Sequence, residues 1–325
     1  MAQPTNTFDT YDSVGNREDL QNKIYMVSPE KTPVTSAGRK FKAEAKFHEW
    51  QRDTLAAPNK DNAVIEGDDR TGTALTPTER VGNYMQLFDK VAVVATSQEV
   101  ANKAGRSSEM KYQIAMKAIP ELKRDVEAMA LSKNPAVAGN STTARKSGGL
   151  GVQVYTNALH NGAGATAAHT SGAPTVANTA GTNRAFAEAL VKTAMQSIYT
   201  ASGEMPTMVS LTPSHKSTFS TFTGIAVNRV NLKKGAEQAA IVGGADAYVS
   251  DFGELTIVPN YVQATAANDV AYILNPETYG IATYQPLKSV PLAKTGHSDK
   301  EMVSWECGLI VTAEKANAKI DNLTP

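Results

Sequence analysis

The chain has 325 residues, with 32 Lys and Arg set against 32 Asp and Glu and a single cysteine, Cys307. That balance, with no long Lys/Arg run, gives no support to a polybasic nucleic-acid binder, and one cysteine excludes an internal disulfide. The most apolar stretch, near residues 91–95, falls far short of the ~20 residues of a membrane helix. The polar, acid-containing N-terminus has no signal-peptide pattern, so the expectation is a cytoplasmic protein with more than one subdomain.

Residues 1–37 are polar, contain Pro4, Pro29 and Pro33, and hold no sustained period, which predicts an arm. From Arg39 to Trp50 the odd positions Phe41, Ala43, Ala45 and Phe47 alternate with Lys40, Lys42, Glu44 and Lys46, which predicts one strand with an apolar and a charged face. A second strand-like run covers 80–96, with Val81, Met85, Leu87, Val91 and Val93 on one face and Tyr84 and Phe88 on the other. The turn-rich residues between them predict a long hairpin with an irregular tip. A two-stranded ribbon is marginal in water, so it needs a surface to lie on, in the same chain or in a neighbour.

Residues 107–133 carry the longest helical period, through Ala115, Ile119, Leu122, Val126, Met129 and Ala130. Ser107 or Ser108 suits the cap, and Lys117–Glu121 and Lys123–Glu127 are spaced to pair on the other face. Pro120 inside the run predicts a bend or two abutting helices. Residues 134–151 read as a Gly, Ser and Ala linker, 152–155 as a short strand, and 159–183 as a long loop of small polar residues. A helix over 184–201 is stopped by Gly203. A buried strand over 208–211 follows, then a helix through Phe222 with Thr212 as cap and Pro213 at its first position. Residues 235–242 suggest a short helix, 248–250 and 254–259 a hairpin, and 270–274 a strand. The chain closes on strands over 279–294 and 302–313, joined by a turn at 295–300. The last alternates Val303, Trp305, Cys307, Leu309 and Val311 with Met302, Ser304 and Glu306, and is expected to pack under the long helix.

The order HEWQRDTLAAP at 48–58, EGDD at 66–69, a return strand, then QEVANKAGRSSEMKYQ leading into a long helix resembles the major capsid proteins of tailed bacteriophages with the Hong Kong 97-like coat fold. The resemblance implies an α+β fold: an N-arm over 1–37, an extended β-hairpin loop over 38–97, and a peripheral domain with a spine helix over 98–146. An axial domain over 147–278 and returning peripheral-domain strands over 279–325 complete it. It implies self-assembly as pentamers and hexamers into an icosahedral head around double-stranded DNA, without sequence-specific binding and without a membrane. In some relatives a scaffolding segment precedes the arm; there is no room for one before Arg39, so a separate scaffolding protein is implied. A portal is implied too, and a decoration protein is left open. The expected inter-subunit contacts are Lys40, Lys42, Lys46, His48, Trp50, Arg52, Glu66, Asp68 and Asp69, the alternative for Trp50 being packing on the strand across from it.

No constellation of residues rises to a catalytic, cofactor or metal site. The five histidines His48, His160, His169, His215 and His297 have no partner at ligand spacing, and HEW at 48–50 is not HExxH. His160 and His169 read as polar loop residues, and Cys307 as a buried inert thiol. The glycine pairs at 148–149 and 243–244 lack phosphate-loop spacing, and Glu66, Asp68 and Asp69 read as a solvated turn. Two other functions stay open: an encapsulin-type compartment shell, and an enzyme with its site around Thr212–His215.

Overall fold

The computed structural model describes residues 6–28, 30–69, 72, 74–169, 172–222 and 246–324. The helix expected over 235–242 lies outside them. The chain begins with an extended arm that enters a one-turn helix, α1 (Pro33–Ala37), and a short strand, β1 (Arg39–Lys42). The alternation through residues 39–50 does not make one strand. It breaks at residues 43–46, and β2 (Phe47–Arg52) starts afresh with a different partner. Its mate is β3 (Glu79–Tyr84), and the chain passes at Met85 directly into β4 (Gln86–Ala95).

That junction inverts the burial predicted for the second run. Val81 and Met85 are buried as expected, but beyond Met85 it is Phe88 and Val94 that are buried, while Leu87, Val91 and Val93 face solvent. The reason is a change of partner: β3 pairs with β2, whereas β4 pairs with a strand from the far end of the chain. A period read as one strand cannot register a switch of sheet.

A short helix α2 (Thr96–Val100) leads to the spine. The spine starts in α3 (Glu109–Tyr112), where Ser108 Oγ accepts from Lys111 N at 3.3 Å, passes through a π-helical stretch over Gln113–Ala118, and continues as α4 (Ile119–Leu131). Its junction residues Gln113, Ala118 and Ile119 all keep right-handed helical angles. Pro120 therefore neither breaks the rod nor divides it. The wider turn ends just before the proline, where a pyrrolidine ring in a regular α-helix would clash with the preceding turn. The predicted Lys123–Glu127 pair does not form: Glu127 points into the core, and Lys123 pairs with Glu30 of the arm.

After the spine, residues 134–149 are an ordered wedge in which Val137 and Lys146 bridge. The strand expected over 152–155 is replaced by a helical turn, α5 (Leu150–Gln153), and a short strand, β5 (Ala158–Leu159), follows. Helix α6 (Glu188–Ser202) ends on Gly203 at φ +72°, a left-handed stop that suits glycine. Strand β6 (Met208–Leu211) and helix α7 (Pro213–Phe219) come next, with Thr212 Oγ1 accepting from His215 N at 3.2 Å as the cap. Hairpin β7 (Ala247–Ser250) and β8 (Gly253–Pro259), then β9 (Ala271–Leu274), complete this lobe. The long strands β10 (Tyr279–Leu292) and β11 (Ser298–Val311) return, and β12 (Ala318–Ile320), which no sequence signal predicted, ends the chain.

Two main sheets result. A four-stranded sheet runs β1-β10-β11-β4, and a six-stranded sheet runs β5-β12-β9-β6-β8-β7; β2 and β3 stand apart as a ribbon. The spine lies on one face of the first sheet, where Leu122, Val126 and Leu131 pack with Val303, Cys307 and Leu309. Strand β1 joins β10 in parallel through Gly280, where a Cβ would sit 1.9 Å from the Arg39 carbonyl oxygen. The second sheet packs on α6 and α7 through Val191, Ile198, Leu211 and Phe219.

Candidate functional site

The residues singled out in the sequence cluster around the ribbon, so its root comes first. Asn83 of β3 is fully buried, and its Nδ2 donates to the carbonyl of Leu309 at 2.8 Å and of Gly148 at 3.0 Å, and to Ser147 Oγ at 3.0 Å. Its Oδ1 accepts from Gly148 N at 2.9 Å. One amide thus ties ribbon, sheet and wedge together. A lone Asn in a strand-like run gives no signal of this in the sequence.

On β2, His48, Trp50 and Arg52 alternate along one side and are all partly buried. Trp50 packs on a small third cluster of Ala43, Met85, Ala282 and Ile310, on its own chain. Burial lowers the pKa of His48, whose ring centre lies 6.3 Å from that of Trp50. Arg52 pairs with Glu79 at 2.8 Å and reaches Tyr155 and the His169 carbonyl. The side chains of Trp50 and Arg52 are therefore committed within the chain, whereas Lys40, Lys42 and Lys46 are exposed. His169, read from the sequence as a polar loop residue, is instead partly buried, and burial followed by the nearby Arg52 charge pushes its pKa down to about 4.

Past Arg52, residues 53–69 extend from the body and are exposed throughout, with Leu55 95% exposed and Ile65 80%. Leu75, on the way back, is 94% exposed. Glu66, Asp68 and Asp69 lie on the same extension, around a turn in which Asp68 N donates to the Ile65 carbonyl and Gly67 takes φ +84°. The arm repeats the pattern: Phe8 is 77% exposed, and Tyr11, Val14 and Val27 project into solvent. Its root, however, is fixed. Glu127 on the spine accepts from the backbone N–H groups of Val34 and Thr35 at 2.9 and 2.8 Å, serving as the missing cap of α1, and from Asn260 Nδ2 at 2.7 Å. Tyr279 Oη adds a bond to the Val34 carbonyl at 3.1 Å.

The outer end of the four-stranded sheet also leaves one face exposed among the described residues. The register sets Val91 opposite Met302 and Met302 opposite Val290, and sets Val93 opposite Lys300 and Lys300 opposite Leu292. Directly paired residues share a face, so these form an exposed apolar strip edged by lysine, away from the spine.

The remaining reactive groups are engaged in structure. His215 is buried, with Nδ1 3.0 Å from Thr212 Oγ1 and Nε2 3.0 Å from the Thr324 carbonyl, so it pins the chain end to α7. Cys307 is fully buried, and burial raises its thiol well above the usual range. Lys319 is fully buried among Gly151 O, Thr166 Oγ1 and Asp321, and burial lowers its pKa to about 8. Asp321 is held below the usual carboxylate range: burial opposes this, but His160, Lys133 and Lys319 outweigh it. Among the described residues no cluster of His, Cys, Asp and Glu could hold a metal, and no helix is long and apolar enough to cross a membrane.

Residues 3–324 match the family described as SU10 major capsid protein. The chain is 27% identical to the major capsid protein of Escherichia phage Phieco32 over 343 residues, covering 95% of this chain and 94% of that one. Its fold is similar to a solved structure from Gordonia phage Cozz (TM-score 0.61, 10% identity, 99% of this chain and 97% of that one). It also resembles the holo-SrpI encapsulin complex of Synechococcus elongatus PCC 7942 (TM-score 0.54, 12% identity, 95% and 92%). At these identities the two structures speak to fold alone. Family and fold together leave the encapsulin reading the weaker of the two, and place the protein in a phage virion: the chain belongs to the SU10 major capsid protein family and builds a capsid shell on the Hong Kong 97-like coat fold.

Proposed function

We propose that the chain assembles as pentamers and hexamers that close into an icosahedral head around double-stranded DNA. The observation that carries this is the contrast between a packed body and the apolar side chains exposed on two otherwise polar extensions, Phe8, Tyr11, Val14 and Val27 on the arm and Leu55, Val64, Ile65 and Leu75 beyond β2. Exposed apolar groups of this extent mark interaction surfaces. In this reading Lys40, Lys42, Lys46, Glu66, Asp68 and Asp69 meet neighbouring copies directly, while His48, Trp50 and Arg52 hold the ribbon that presents the tip. Each contact is weak alone, and a subunit gripped by several neighbours gains through effective concentration.

Balanced charge suits a wall that encloses DNA without gripping it, since phosphate neutralisation binds tightly and depends on salt. The domain division follows the same reading, with an arm over 1–37, a loop over 38–97, a peripheral domain over 98–146 and 279–325, and an axial domain over 147–278. A separate scaffolding protein and a portal are the partners proposed, with a decoration protein as a further one. Tethering of His215 by Thr212 and Thr324 favours a structural role over catalysis at that place.

Negative-stain electron microscopy paired with size exclusion tests the reading. Closed shells, or discrete pentamers and hexamers, are expected. A monomer or dimer at micromolar concentration that stays unassembled when a scaffolding partner is added would overturn it.

A further inference from the structure

Arg52 sits at the outer end of the paired part of the ribbon, opposite Glu79. Its Nη2 donates to Glu79 Oε2 at 2.8 Å, to Tyr155 Oη at 3.1 Å and to the His169 carbonyl at 3.3 Å. Its side chain is only 12% exposed, and the guanidinium carbon lies 5.9 Å from the Tyr155 ring centre. The Tyr155 and His169 rings meet edge to face at 4.7 Å. Just beyond, Gly172 N donates to the Arg80 carbonyl at 3.2 Å and Gly82 N to the Gly172 carbonyl at 3.3 Å, so this segment lies along β3. Apart from those main-chain bonds, Arg52 is the cation that joins the outer ribbon to residues 155–169.

His169 is the unusual member. Its Nδ1 is buried with no hydrogen-bond partner. A partly buried imidazole with one nitrogen enclosed and unpartnered, beside a guanidinium, is poorly placed to accept a proton. We propose that Arg52 is a proton-sensitive latch on the extended ribbon: it holds the ribbon against Tyr155 and His169 while His169 is neutral, and releases it when His169 is charged.

The charged and titratable groups facing His169 are few. From β2 comes Arg52, and from β3 comes Glu79, already engaged by Arg52. Arg80 turns outward to Glu49 at 2.9 Å with a side chain 70% exposed. Tyr155 presents its ring, and Glu314 lies behind it, engaged by Thr156 Oγ1 at 2.5 Å. None of these offers His169 Nδ1 an acceptor within the chain.

The sign follows from burial. His169 has an ordinary value of 6.5 and is lowered to about 4 in the closed arrangement, first by burial and then by Arg52. Closing is thus unaffected by pH above 6.5 and is weakened progressively as pH falls from there to about 4, below which the loss levels off. The closing equilibrium drops by roughly two orders of magnitude across that window.

The test is a spin-label distance between Leu55→Cys, past the latch, and Thr193→Cys, on α6, measured on the unassembled full chain at neutral pH and near pH 4. Cys307 is buried and stays unlabelled. One distance is expected at neutral pH, with a second, longer population in acid. His169→Gln, which takes up no proton, should keep the single distance in acid. Arg52→Gln should show the second population already at neutral pH. Should Arg52→Gln fail to fold, Tyr155→Phe removes only one acceptor and should raise the pH at which the second population appears. An unchanged distance in acid, or the same acid response in His169→Gln, overturns the latch. Because no shell is formed in this experiment, its outcome is separate from that of the assembly test.

Discussion

The spine with its sheet and the extension past Arg52, described over residues 53–69 and 74–78, treat the same kinds of residue in opposite ways. On the spine, Leu122 and Leu131 are fully buried against β11; on the extension, Leu55 and Leu75 are almost fully exposed. The first region is complete within one chain. The second leaves its described apolar side chains in solvent. The lesson is that one sequence places the same residue types in a closed core and on exposed extensions, and that polar side chains tie the two together. Asn83, Glu127 and Arg52 are those joints: each is a polar side chain at the root of an extension, bonded several times over.

Four changes would break or sharpen this contrast. The largest effect is expected inside the closed core. Leu122→Ala opens a cavity at a fully buried site and should cost ~2–5 kcal/mol, read as a fall in the urea midpoint with an unchanged slope. Next comes the joint at Glu127. Replacing it with Ala leaves the Val34 and Thr35 N–H groups and the Asn260 amide without their acceptor, for a cost of ~2–3 kcal/mol. Proteolysis near residue 30 should quicken in that variant, and a protected arm root would argue that Glu127 is not what holds it.

A pH experiment sharpens the comparison within the body. The Asp321 pKa is depressed in the fold, so its stabilisation is fully present above the ordinary carboxylate value near 4 and is lost as pH falls below it. Asp321→Asn should therefore flatten the acid limb of the stability curve, followed by thermal unfolding at a series of pH values; an acid limb as steep as in the parent would remove Asp321 from the account.

The smallest effect on the isolated chain is expected at the extension. Leu75→Ser changes a side chain already in water and should shift chain stability by less than ~0.5 kcal/mol. The same change should sharply lower the yield of closed shells in electron micrographs. Shells formed at the parent yield would mean that the apolar tip is not covered on assembly.

The elements with local causes were legible in the sequence. The spine was plain from its period and from Ser108. The stop of α6 at Gly203, the Thr212–Pro213 start of α7, and the alternation of β11 were equally so. Each depends on residues within a turn or two, or on a strict two-residue alternation. The order of segments was also enough to point to the capsid fold. What escaped was every feature that depends on a distant partner. The alternation through residues 39–50 hid a break, because β1 pairs with β10 and β2 with β3. The inversion of burial at Met85 follows from β4 joining β11, whose sequence lies some two hundred residues away.

The same limit applies at the site. That Lys40, Lys42, Lys46, Glu66, Asp68 and Asp69 are exposed could be read directly, since none of the described residues buries them. Glu127 looked like one half of a helix-surface pair and proved to be the buried cap of another helix. Arg52 and His169, 117 positions apart, had no reason to be linked until the fold brought them together. By itself the sequence determined the spine, helices α6 and α7 and the long closing strands, because backbone preference and side-chain period act locally. Only the tertiary structure decided which strands pair, which faces stay open and which polar groups become joints, because those depend on contacts whose partners are distant in the chain.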